Sequence, residues 1–372
     1  MDKVFQLDGV SKNYSPLQVL EEVHLSVNRD DFMVVYGLPS SGKTVLLRLL
    51  MGLEKPDQGT ILLRGKDVHN MPPKLRNIGY VPQDFALYPH KTISQNIAYP
   101  LQLMKKPASE IGPVVNRAAA MLHIEDLLNK LPTQLSGGQK QRVAVARGIV
   151  KETDIYLFDD PLAGLDFKLR EQLIDDLRTL QEEMNACFLY TTSDPIESLA
   201  LAERIAVLHE RTICEVGKPQ KIYGHPSHLA TMDILGFPRA NLFTGKLSRK
   251  ASEIWCETDL FSFPMVMDEE SSSGEDFKKV MVAVRPENLR KTSDKTTGCL
   301  GAEIYLREDL GAEEILYLNI QDASLTMVTP SSQNGEYDVG DQISICMDAK
   351  ALFVFDEATG TRLGKGTGNV DV

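Results

Sequence analysis

A glycine-rich segment near the start of the chain, Gly37-Leu38-Pro39-Ser40-Ser41-Gly42-Lys43-Thr44, constrains the fold more than any other feature. It fits the pattern G-x-x-x-x-G-K-[ST], in which backbone N–H groups cradle phosphate groups. Residues 32–36 before it are strand-like, and residues 45–53 after it have helical spacing. The motif requires a strand, a loop and a helix in that order. The segment therefore predicts a phosphate-binding loop inside an α/β fold.

Two side chains of this loop have a predicted role in binding ATP with Mg²⁺. Lys43 is expected to reach the β- and γ-phosphates, and Thr44 is expected to hold Mg²⁺ through its hydroxyl. The positive end of the following helix adds to the attraction for an anion. A turn with a fortuitous lysine is the alternative, but it leaves the flanking strand and helix patterns unexplained.

Residues 1 to about 235 alternate strand-like and helix-like runs, which predicts a parallel α/β sheet. The strand-like runs are residues 32–36, 155–158 and 187–190, and the helix-like runs are residues 45–53 and 169–184. Residues 84–150 are mostly helical in pattern, with an amphipathic helix predicted over residues 117–129. This stretch is interpreted as a helical subdomain inserted into the first domain, which spans residues 1–236.

Residues 237–372 have a different texture, with short strand-like runs separated by turn signals. The runs are residues 254–256, 280–284, 314–320, 325–328, 343–347 and 352–355, and the turn signals are residues 271–274, 334–335 and 339–341. Short strands at this spacing predict a small all-β barrel or sandwich as a second domain.

Charge and cysteine usage exclude several classes of protein. The formal net charge of −12 argues against a nucleic-acid partner, because phosphate neutralisation needs clustered Lys and Arg. The five cysteines are far apart and include no C-x-x-C pair, so the sequence predicts neither a disulfide framework nor a zinc site. No run of eighteen apolar residues and no signal-peptide pattern is present, so the cytosol is the expected compartment.

A second glycine-rich turn, Leu135-Ser136-Gly137-Gly138-Gln139, precedes the helix-like residues 140–150. A helix N-cap would explain Ser136 but not two glycines followed by Gln139. At this point the chain resembles the ABC-transporter ATPase family, whose signature reads LSGGQ. The resemblance implies that Ser136, Gly137, Gly138 and Gln139 close over the γ-phosphate held by the phosphate loop of another subunit.

Other positions of the family pattern can be placed one at a time. The resemblance implies that Tyr14 stacks on adenine and that Gln83 contacts Mg²⁺ and the attacking water. It also implies that Asp159 is the Walker B aspartate that supports Mg²⁺, and that residues 163–166 form the loop that crosses the dimer interface. Each match is weak alone, but their order along the chain agrees with the family.

Several longer segments are similar to one subfamily, the ATPases of maltose-type importers for sugars, polyols and glycerol phosphate. These segments are residues 85–92, 96–101, 222–226, 284–288, 339–341 and 355–360. The resemblance implies that residues from about 237 onward form a pair of oligonucleotide-binding-like barrels, the TOBE region, that serves dimer contacts and regulation. Residues 246–279 match least.

Two catalytic positions depart from the family pattern. The family has Glu directly after the Walker B aspartate as general base, and here that residue is Asp160, whose carboxylate is expected to fall roughly 1.5 Å short. A misplacement of that size can cost about a hundredfold in rate. The family has His where this chain has Ser193, and a hydroxyl cannot carry positive charge. Both changes predict weak hydrolysis in this subunit's own site, while MgATP binding and the signature are retained.

These departures leave two interpretations open. One is a heterodimer in which a second, non-identical ATPase subunit supplies a competent site that this chain's signature completes. The other is a slow but working homodimer. In either case the resemblance implies two membrane-spanning permease subunits, an extracytoplasmic solute-binding protein, and a peripheral position on the cytoplasmic face of the inner membrane. A soluble ABC ATPase acting on DNA or ribosomes, a purely regulatory nucleotide-binding subunit and an exporter are the remaining alternatives.

Overall fold

The structure is a computed structural model that describes residues 3–250, 253–268, 278–292, 298–331 and 337–372. The chain divides into two compact units, Met1–Pro219 and Gln220–Val372. The boundary predicted from the sequence lies between residues 236 and 237. The turn signals predicted at residues 271–274 and 334–335 lie outside the described residues.

The first unit contains ten strands and seven helices among its described residues. The strands are β1 (Lys3–Tyr14), β2 (Leu17–Asn28), β3 (Phe32–Tyr36), β4 (Gln58–Leu63), β5 (Lys66–Asp67), β6 (Gly79–Val81), β7 (Ile155–Asp159), β8 (Cys187–Thr192), β9 (Arg204–His209) and β10 (Thr212–Gly217). The helices are α1 (Lys43–Met51), α2 (Pro73–Arg76), α3 (Ile93–Leu103), α4 (Ala108–Met121), α5 (Gly137–Ile149), α6 (Phe167–Met184) and α7 (Pro195–Leu201).

The predicted parallel sheet is confirmed, with strand order β10-β9-β3-β8-β7-β6. Strands β9, β3, β8, β7 and β6 are parallel, and β10 pairs antiparallel to β9 at the edge. Every residue of β3, β7 and β8 is buried, as expected for strands covered on both faces. Because parallel strands end at the same edge, the residues after β3, β7 and β8 lie together.

A second sheet of the first unit was not predicted. It is antiparallel, with order β2-β1-β4-β5. Strands β1 and β2 alternate buried and exposed residues only in part, since their pairing contains several irregularities in register. Such irregularities interrupt the period of two that identifies a half-buried strand in a sequence.

The helical subdomain is present as α3, α4 and α5, but one predicted helix is misplaced. The amphipathic helix predicted over residues 117–129 corresponds to α4, which begins at Ala108 and ends at Met121. His123 has a left-handed backbone, φ 54°, which an α-helix cannot accommodate. A separate 3₁₀ turn, Glu125–Leu127, follows, so buried leucines on both sides of this break produced an apparently continuous helical pattern.

The second unit is almost entirely β-structure, as predicted. Its helices are α8 (Pro219–Gly224) and α9 (Leu229–Ile234), and its strands are β11 (Asn241–Lys250), β12 (Glu253–Thr258), β13 (Ser262–Met267), β14 (Lys279–Val284), β15 (Leu289–Thr292), β16 (Cys299–Asp309), β17 (Glu313–Ile320), β18 (Ala323–Pro330), β19 (Gln342–Met347), β20 (Phe353–Asp356) and β21 (Arg362–Gly366).

The strands of the second unit form two sheets that share one hydrophobic core. Strands β11-β12-β13-β21-β20-β14 close into a barrel. The others form a five-stranded sheet, β15-β19-β16-β17-β18, which is open among the described residues. The resemblance implied two barrels, whereas the described residues form one closed barrel and one open sheet.

Within the described ranges, we find no helix that is both long enough and apolar enough to cross a membrane.

Candidate nucleotide site

A cavity of about 470 Å³ lies at the carboxyl ends of β3, β7 and β8. It is lined by Val19, Pro39, Ser40, Ser41, Gly42, Lys43, Thr44, Val45, Gln83, Asp159, Asp160 and Ser193. The fold thus brings together most of the phosphate loop with four residues that lie far away in sequence. The structure thus brings together residues that the sequence analysis assigned to one site, and their individual roles stay predictions.

Two glycines of the loop have no room for a side chain. A Cβ atom on Gly37 would lie 2.6 Å from the Leu208 carbonyl oxygen. Gly42 has φ 105°, which side chains disfavour, and a Cβ atom there would lie 3.0 Å from Leu20. The chain can therefore make this tight turn before α1 only with glycine at both positions.

The loop presents polar groups suited to phosphate. Helix α1 has no side-chain cap at Gly42, so side chains leave the N–H groups of its first turn available to an anion. The Ser41 Oγ atom is buried and has no hydrogen-bond partner. A buried hydroxyl without a partner is costly, and a phosphate oxygen in the cavity would satisfy it. The loop therefore fits a nucleotide phosphate chain.

Lys43 is the buried cation of the site, with only 7% of its surface exposed. Its Nζ donates to the carbonyl oxygens of Gly37 (2.7 Å) and Leu38 (3.0 Å) and to Ser193 Oγ (2.9 Å). An ammonium group has three donors, so all three are engaged. Burial lowers the pKa of Lys43, whereas Asp160 and Asp159 act to raise it. Phosphate oxygens would have to replace some of these acceptors when nucleotide binds.

The residues assigned to Mg²⁺ are also adjacent. The Thr44 hydroxyl donates to Asp159 Oδ1 at 2.9 Å, and Thr191 Oγ1 lies 3.2 Å from the same oxygen. The hydroxyl of Tyr80 donates to Asp159 Oδ2 at 3.2 Å, and burial followed by Asp159 raises the pKa of Tyr80. A hydroxyl, one carboxylate and the Gln83 amide oxygen are hard oxygen ligands of the kind that Mg²⁺ uses together with substrate phosphates.

Asp160 lines the cavity directly after β7. Its backbone is left-handed, φ 44°, a region that Asp tolerates better than most residues. Its N–H donates to the Thr191 carbonyl at 3.0 Å, which fixes the turn. Burial raises the pKa of Asp160, and Lys43 opposes this by favouring the charged form. Asp160 thus lines the cavity, and its action as a general base stays a prediction.

The structure gives Ser193 a contact that the sequence did not suggest. Ser193 follows β8, and its hydroxyl accepts a hydrogen bond from Lys43. An imidazole at this position could carry positive charge, whereas the hydroxyl cannot. The Ser193 hydroxyl is therefore one of the three acceptors that hold the Lys43 ammonium group in place.

The second glycine-rich turn lies apart from this cavity and contributes nothing to its lining. Ser136 caps α5: its Oγ accepts from the Gln139 N–H at 3.3 Å, and the Gln139 side chain accepts from the Ser136 N–H at 3.0 Å. A Cβ atom on Gly137 would meet nothing within 4 Å, while one on Gly138 would lie 2.9 Å from Leu169. Ser136 and Gly137 are exposed, so the turn is open to a second molecule.

Tyr14, predicted to stack on adenine, is not among the residues that line the cavity. It ends β1 with 41% of its surface exposed. Its hydroxyl bonds to Glu54, and Lys12 Nζ lies 5.4 Å from its ring centre. Burial, followed by the Glu54 contact, raises the pKa of Tyr14 to about 12. Its role in binding adenine stays a prediction.

Arg147 lies in α5, the helix that begins at the second glycine-rich turn, and its contacts were not predicted from the sequence. Arg147 donates to the carbonyl oxygens of Phe85 (2.7 Å) and Ala86 (2.5 Å), just beyond Gln83. Phe85 and Ala86 both have left-handed backbones, with φ 56° and 46°. The signal available in the sequence was an arginine within the mostly apolar residues 143–149. A cation in such a stretch needs partners for its donors when it is buried.

Arg170 of α6 was also missed. It donates to Asp194 Oδ2 at 2.7 Å and to the Leu165 carbonyl at 3.2 Å, and it lies 3.5 Å from Glu197 Oε1. Glu197 is buried, and burial raises its pKa. Arg170 thus connects the loop of residues 163–166 with the residues that follow Ser193.

Comparisons with known proteins agree with this geometry. Residues 20–163 match the ABC transporter family model, and residues 282–355 match the TOBE domain model. The trehalose/maltose import ATP-binding protein MalK of Thermococcus litoralis is 32% identical, with 95% of this chain and 98% of that protein covered. The sulfoquinovosyl glycerol transport ATP-binding protein SmoE of Agrobacterium fabrum is 32% identical, with 95% and 97% covered.

Two further comparisons cover less of this chain. The spermidine/putrescine import ATP-binding protein PotA of Aliivibrio fischeri is 35% identical over 82% of each chain. A solved dimer of an ATP-binding cassette, in a post-hydrolysis state bound to ADP and phosphate, superposes with a TM-score of 0.53. It is 28% identical and covers 58% of this chain and 98% of its own.

Proposed function

This chain belongs to the ABC transporter family of ATPases, and we propose that it is the degenerate half of an ATPase heterodimer in a carbohydrate-type importer. The contact that carries the proposal is the hydrogen bond from Lys43 to Ser193, with Asp160 in the same cavity. The phosphate loop, Thr44, Gln83 and Asp159 line the same cavity, which supports retained binding of MgATP. The two groups expected to promote hydrolysis are a short carboxylate and an uncharged hydroxyl.

The coverage of the relatives supports a sugar, a polyol such as glycerol, or a glycerol-phosphate-like compound as the solute. Relatives named for trehalose/maltose and for sulfoquinovosyl glycerol match 95% of this chain, including the second unit. The relatives named for spermidine and putrescine match between 67% and 82%. A polyamine is therefore the second candidate for the solute.

In the proposed mechanism, each residue of the cavity has a separate task. Lys43 and the N–H groups at the start of α1 bind the phosphates, and Ser41 supplies a further hydroxyl. Thr44, Asp159 and Gln83 would hold Mg²⁺, which neutralises charge on the β- and γ-phosphates. Asp160 orients water less closely than a glutamate would, so this site retains nucleotide more than it cleaves it.

The second glycine-rich turn is proposed to act on the partner ATPase. Ser136 and Gly137 stand exposed at the N-terminus of α5, where backbone N–H groups and the helix dipole attract an anion. We propose that this turn covers the γ-phosphate bound by a non-identical ATPase subunit. The segment from Gln83 to Pro89 then transmits closure to two membrane-spanning permease subunits, and an extracytoplasmic binding protein delivers the solute.

The proposal places the chain on the cytoplasmic face of the inner membrane, attached through the permease subunits. This placement is supported by the import functions named for the relatives, not by a membrane-spanning helix of its own.

The test is ATP turnover by the purified chain alone, compared with the double variant Ser193→His, Asp160→Glu. We expect the unmodified chain to hydrolyse ATP at least about a hundredfold more slowly than the double variant. Ser109→His with Asp126→Glu is the matched control, because both residues are exposed in the helical subdomain. Turnover by the unmodified chain that matches the turnover of the double variant would favour a working homodimer and defeat the heterodimer.

A further inference from the structure

Two of the five cysteines face each other across neighbouring strands of the second unit. Cys299 is the first residue of β16, and its partner in register on β19 is Cys346. Directly opposed residues of an antiparallel pair have Cα atoms about 4.5 or 5.5 Å apart. A disulfide needs Cα atoms roughly 4.4–6.8 Å apart, so this pairing places the two Cα atoms within the range that a disulfide can span.

Both thiols lie on the outer face of this sheet. The next pair in register, Leu300 and Ile345, is buried in the core of the unit. Because successive side chains of a strand point to opposite faces, the two cysteines point away from that core. Both are half-buried, so a small reagent can reach them.

The two thiols contact each other, and a cation lies beside Cys346 in the strand register. Cys346 and Cys299 share a side-chain hydrogen bond, so the two sulfur atoms already face each other. On the other side of Cys346, its partner in register on β15 is Arg290, whose positive charge favours a thiolate. Burial raises the pKa of Cys346 most, Cys299 raises it further, and Arg290 lowers it.

We propose that Cys299 and Cys346 are a redox-modification site that forms a reversible intrachain disulfide by exchange with a small-molecule disulfide such as oxidised glutathione. One cysteine thiolate attacks the glutathione disulfide, forms a mixed disulfide and releases one glutathione. The second cysteine then attacks the protein sulfur of that mixed disulfide and releases the other. Two protein thiols are oxidised, one glutathione disulfide is reduced to two thiols, and the protons pass to the two released glutathione molecules.

The remaining cysteines provide a contrast inside the same chain. Cys187 and Cys256 are fully buried, and burial raises the pKa of both. Cys214 is half-buried, and its Sγ donates to the Val207 carbonyl at 3.4 Å. No other two of the five cysteines, all of which lie in described ranges, are partners in strand register. Exchange is therefore expected to select one pair.

The disulfide would have a measurable effect on the second unit. It would join the start of β16 to β19 and enclose β17 and β18 in one covalent loop. Cross-linking a long loop stabilises a domain mainly by restricting its unfolded chain. Since this cross-link lies far from the nucleotide-binding residues in sequence and in a separate unit, the inference stands independently of the proposed function.

The experiment equilibrates the full chain with mixtures of reduced and oxidised glutathione, blocks remaining thiols with N-ethylmaleimide, and identifies linked peptides by mass spectrometry. We expect one disulfide, Cys299 to Cys346, that dithiothreitol reverses. We also expect the unfolding midpoint of the second unit to rise by several degrees on oxidation. Cys214→Ser should behave as the unmodified chain does.

Cys299→Ser and Cys299→Ala should each abolish the disulfide and the shift of the midpoint, while the nucleotide affinity remains unchanged. Two variants are used so that a local folding defect in one of them does not decide the result. The inference is overturned if both cysteines stay fully alkylated across all glutathione mixtures. It is equally overturned if the disulfide that forms joins another pair.

Discussion

The two glycine-rich turns of the first unit each lead into a helix, but their surroundings are opposite. The phosphate loop is enclosed: Lys43 is buried, and Gly37 has no space for a Cβ atom. The turn at Ser136 is open, and Gly137 has nothing within 4 Å of the position of a Cβ atom. Packing inside the chain requires glycine at position 37 of the phosphate loop, whereas packing inside the chain does not require glycine at position 137.

This difference indicates where each turn's ligand comes from. The enclosed loop has buried donors and an unpartnered Ser41 hydroxyl that a phosphate can satisfy within one chain. The open turn offers a helix N-terminus to solvent, and its capping Ser136 is already satisfied by Gln139. Because packing inside this chain does not require glycine at position 137, we expect the absence of a side chain there to matter only when another molecule approaches closely.

The largest effect is expected from Lys43→Ala. The variant removes the buried charge proposed to bind the phosphates, and the carbonyl oxygens of Gly37 and Leu38 lose the hydrogen bonds that Lys43 donates. We expect ATP affinity to fall at least about a hundredfold, measured by calorimetric titration of the purified chain. Lys140→Ala, next to the open turn, is the matched control and should change affinity less than about twofold. Equal losses for both lysines would contradict the distinction between the turns.

Gly137→Asp is expected to separate binding from partner activation. Aspartate in the first turn of α5 is compatible with the helix dipole, and its Cβ atom would have no neighbouring atom within 4 Å, so the chain should fold normally. Its negative charge would repel a γ-phosphate held by the partner. ATP affinity of the isolated chain should stay within about twofold, and ATPase activity of the assembled transporter should fall at least about tenfold.

Gly112→Asp is the control for that experiment, because Gly112 in α4 also has nothing within 4 Å of a Cβ position. It should leave the ATPase activity of the complex unchanged. Loss of nucleotide affinity in the isolated Gly137→Asp chain would mean that the open turn serves its own chain's cavity.

Much of the first unit could be predicted because the features that specify it lie within short stretches of the sequence. The runs at residues 32–36 and 155–158 are continuous apolar strands, and the phosphate loop lies between a strand and a helix, so periodicity and motif agree. The antiparallel sheet of β1 and β2 was missed because irregular pairing disturbs the alternation of buried residues. The misplaced helix near residue 117 shows the same weakness, since apolar spacing does not register the left-handed His123.

Several residues that line the cavity could be named from the sequence, but Tyr14, which was also predicted, does not line it, and the hydrogen bonds between the lining residues could not be predicted. The motif supplied Lys43 and Asp159, but nothing in the sequence indicates that Lys43 donates to a residue 150 positions away. Arg147 and Arg170 were missed for the same physical reason. Their roles depend on backbone carbonyls and carboxylates that folding brings near, and those partners have no fixed spacing in sequence.

Arg147→Ala tests whether the two turns communicate through α5. The variant removes two donors from the left-handed segment Phe85–Ala86, which follows Gln83. We expect nucleotide affinity to stay within about twofold and solute-stimulated ATPase activity of the complex to fall roughly threefold to tenfold. Arg147→Lys should recover little, because one ammonium group lacks the planar fork of the guanidinium. An unchanged stimulated rate would make the turns independent.

The smallest effect is expected from Asp160→Asn, which tests how much stability the chain loses by burying a charged carboxylate beside the phosphate loop. Burial outweighs the attraction to Lys43 and raises the pKa of Asp160 above its ordinary value of 3.8. The charged carboxylate therefore costs stability at neutral pH, and the variant should raise the unfolding midpoint of the ligand-free chain by roughly 2–4 °C, on the order of 1 kcal/mol.

The sign of this effect follows from proton binding. A raised pKa means that the folded chain holds the Asp160 proton more tightly than the unfolded chain. The cost in stability is therefore complete above the folded pKa, shrinks as the pH falls through it, and vanishes below the unfolded pKa. Thermal unfolding at pH 7 and at pH values approaching 4 should show the gap between variant and unmodified chain shrinking. Ser136→Ala lowers stability by about 1 kcal/mol through loss of a helix cap. It should show the same gap at every pH, because no residue from Ser136 to Gln139 titrates in this range.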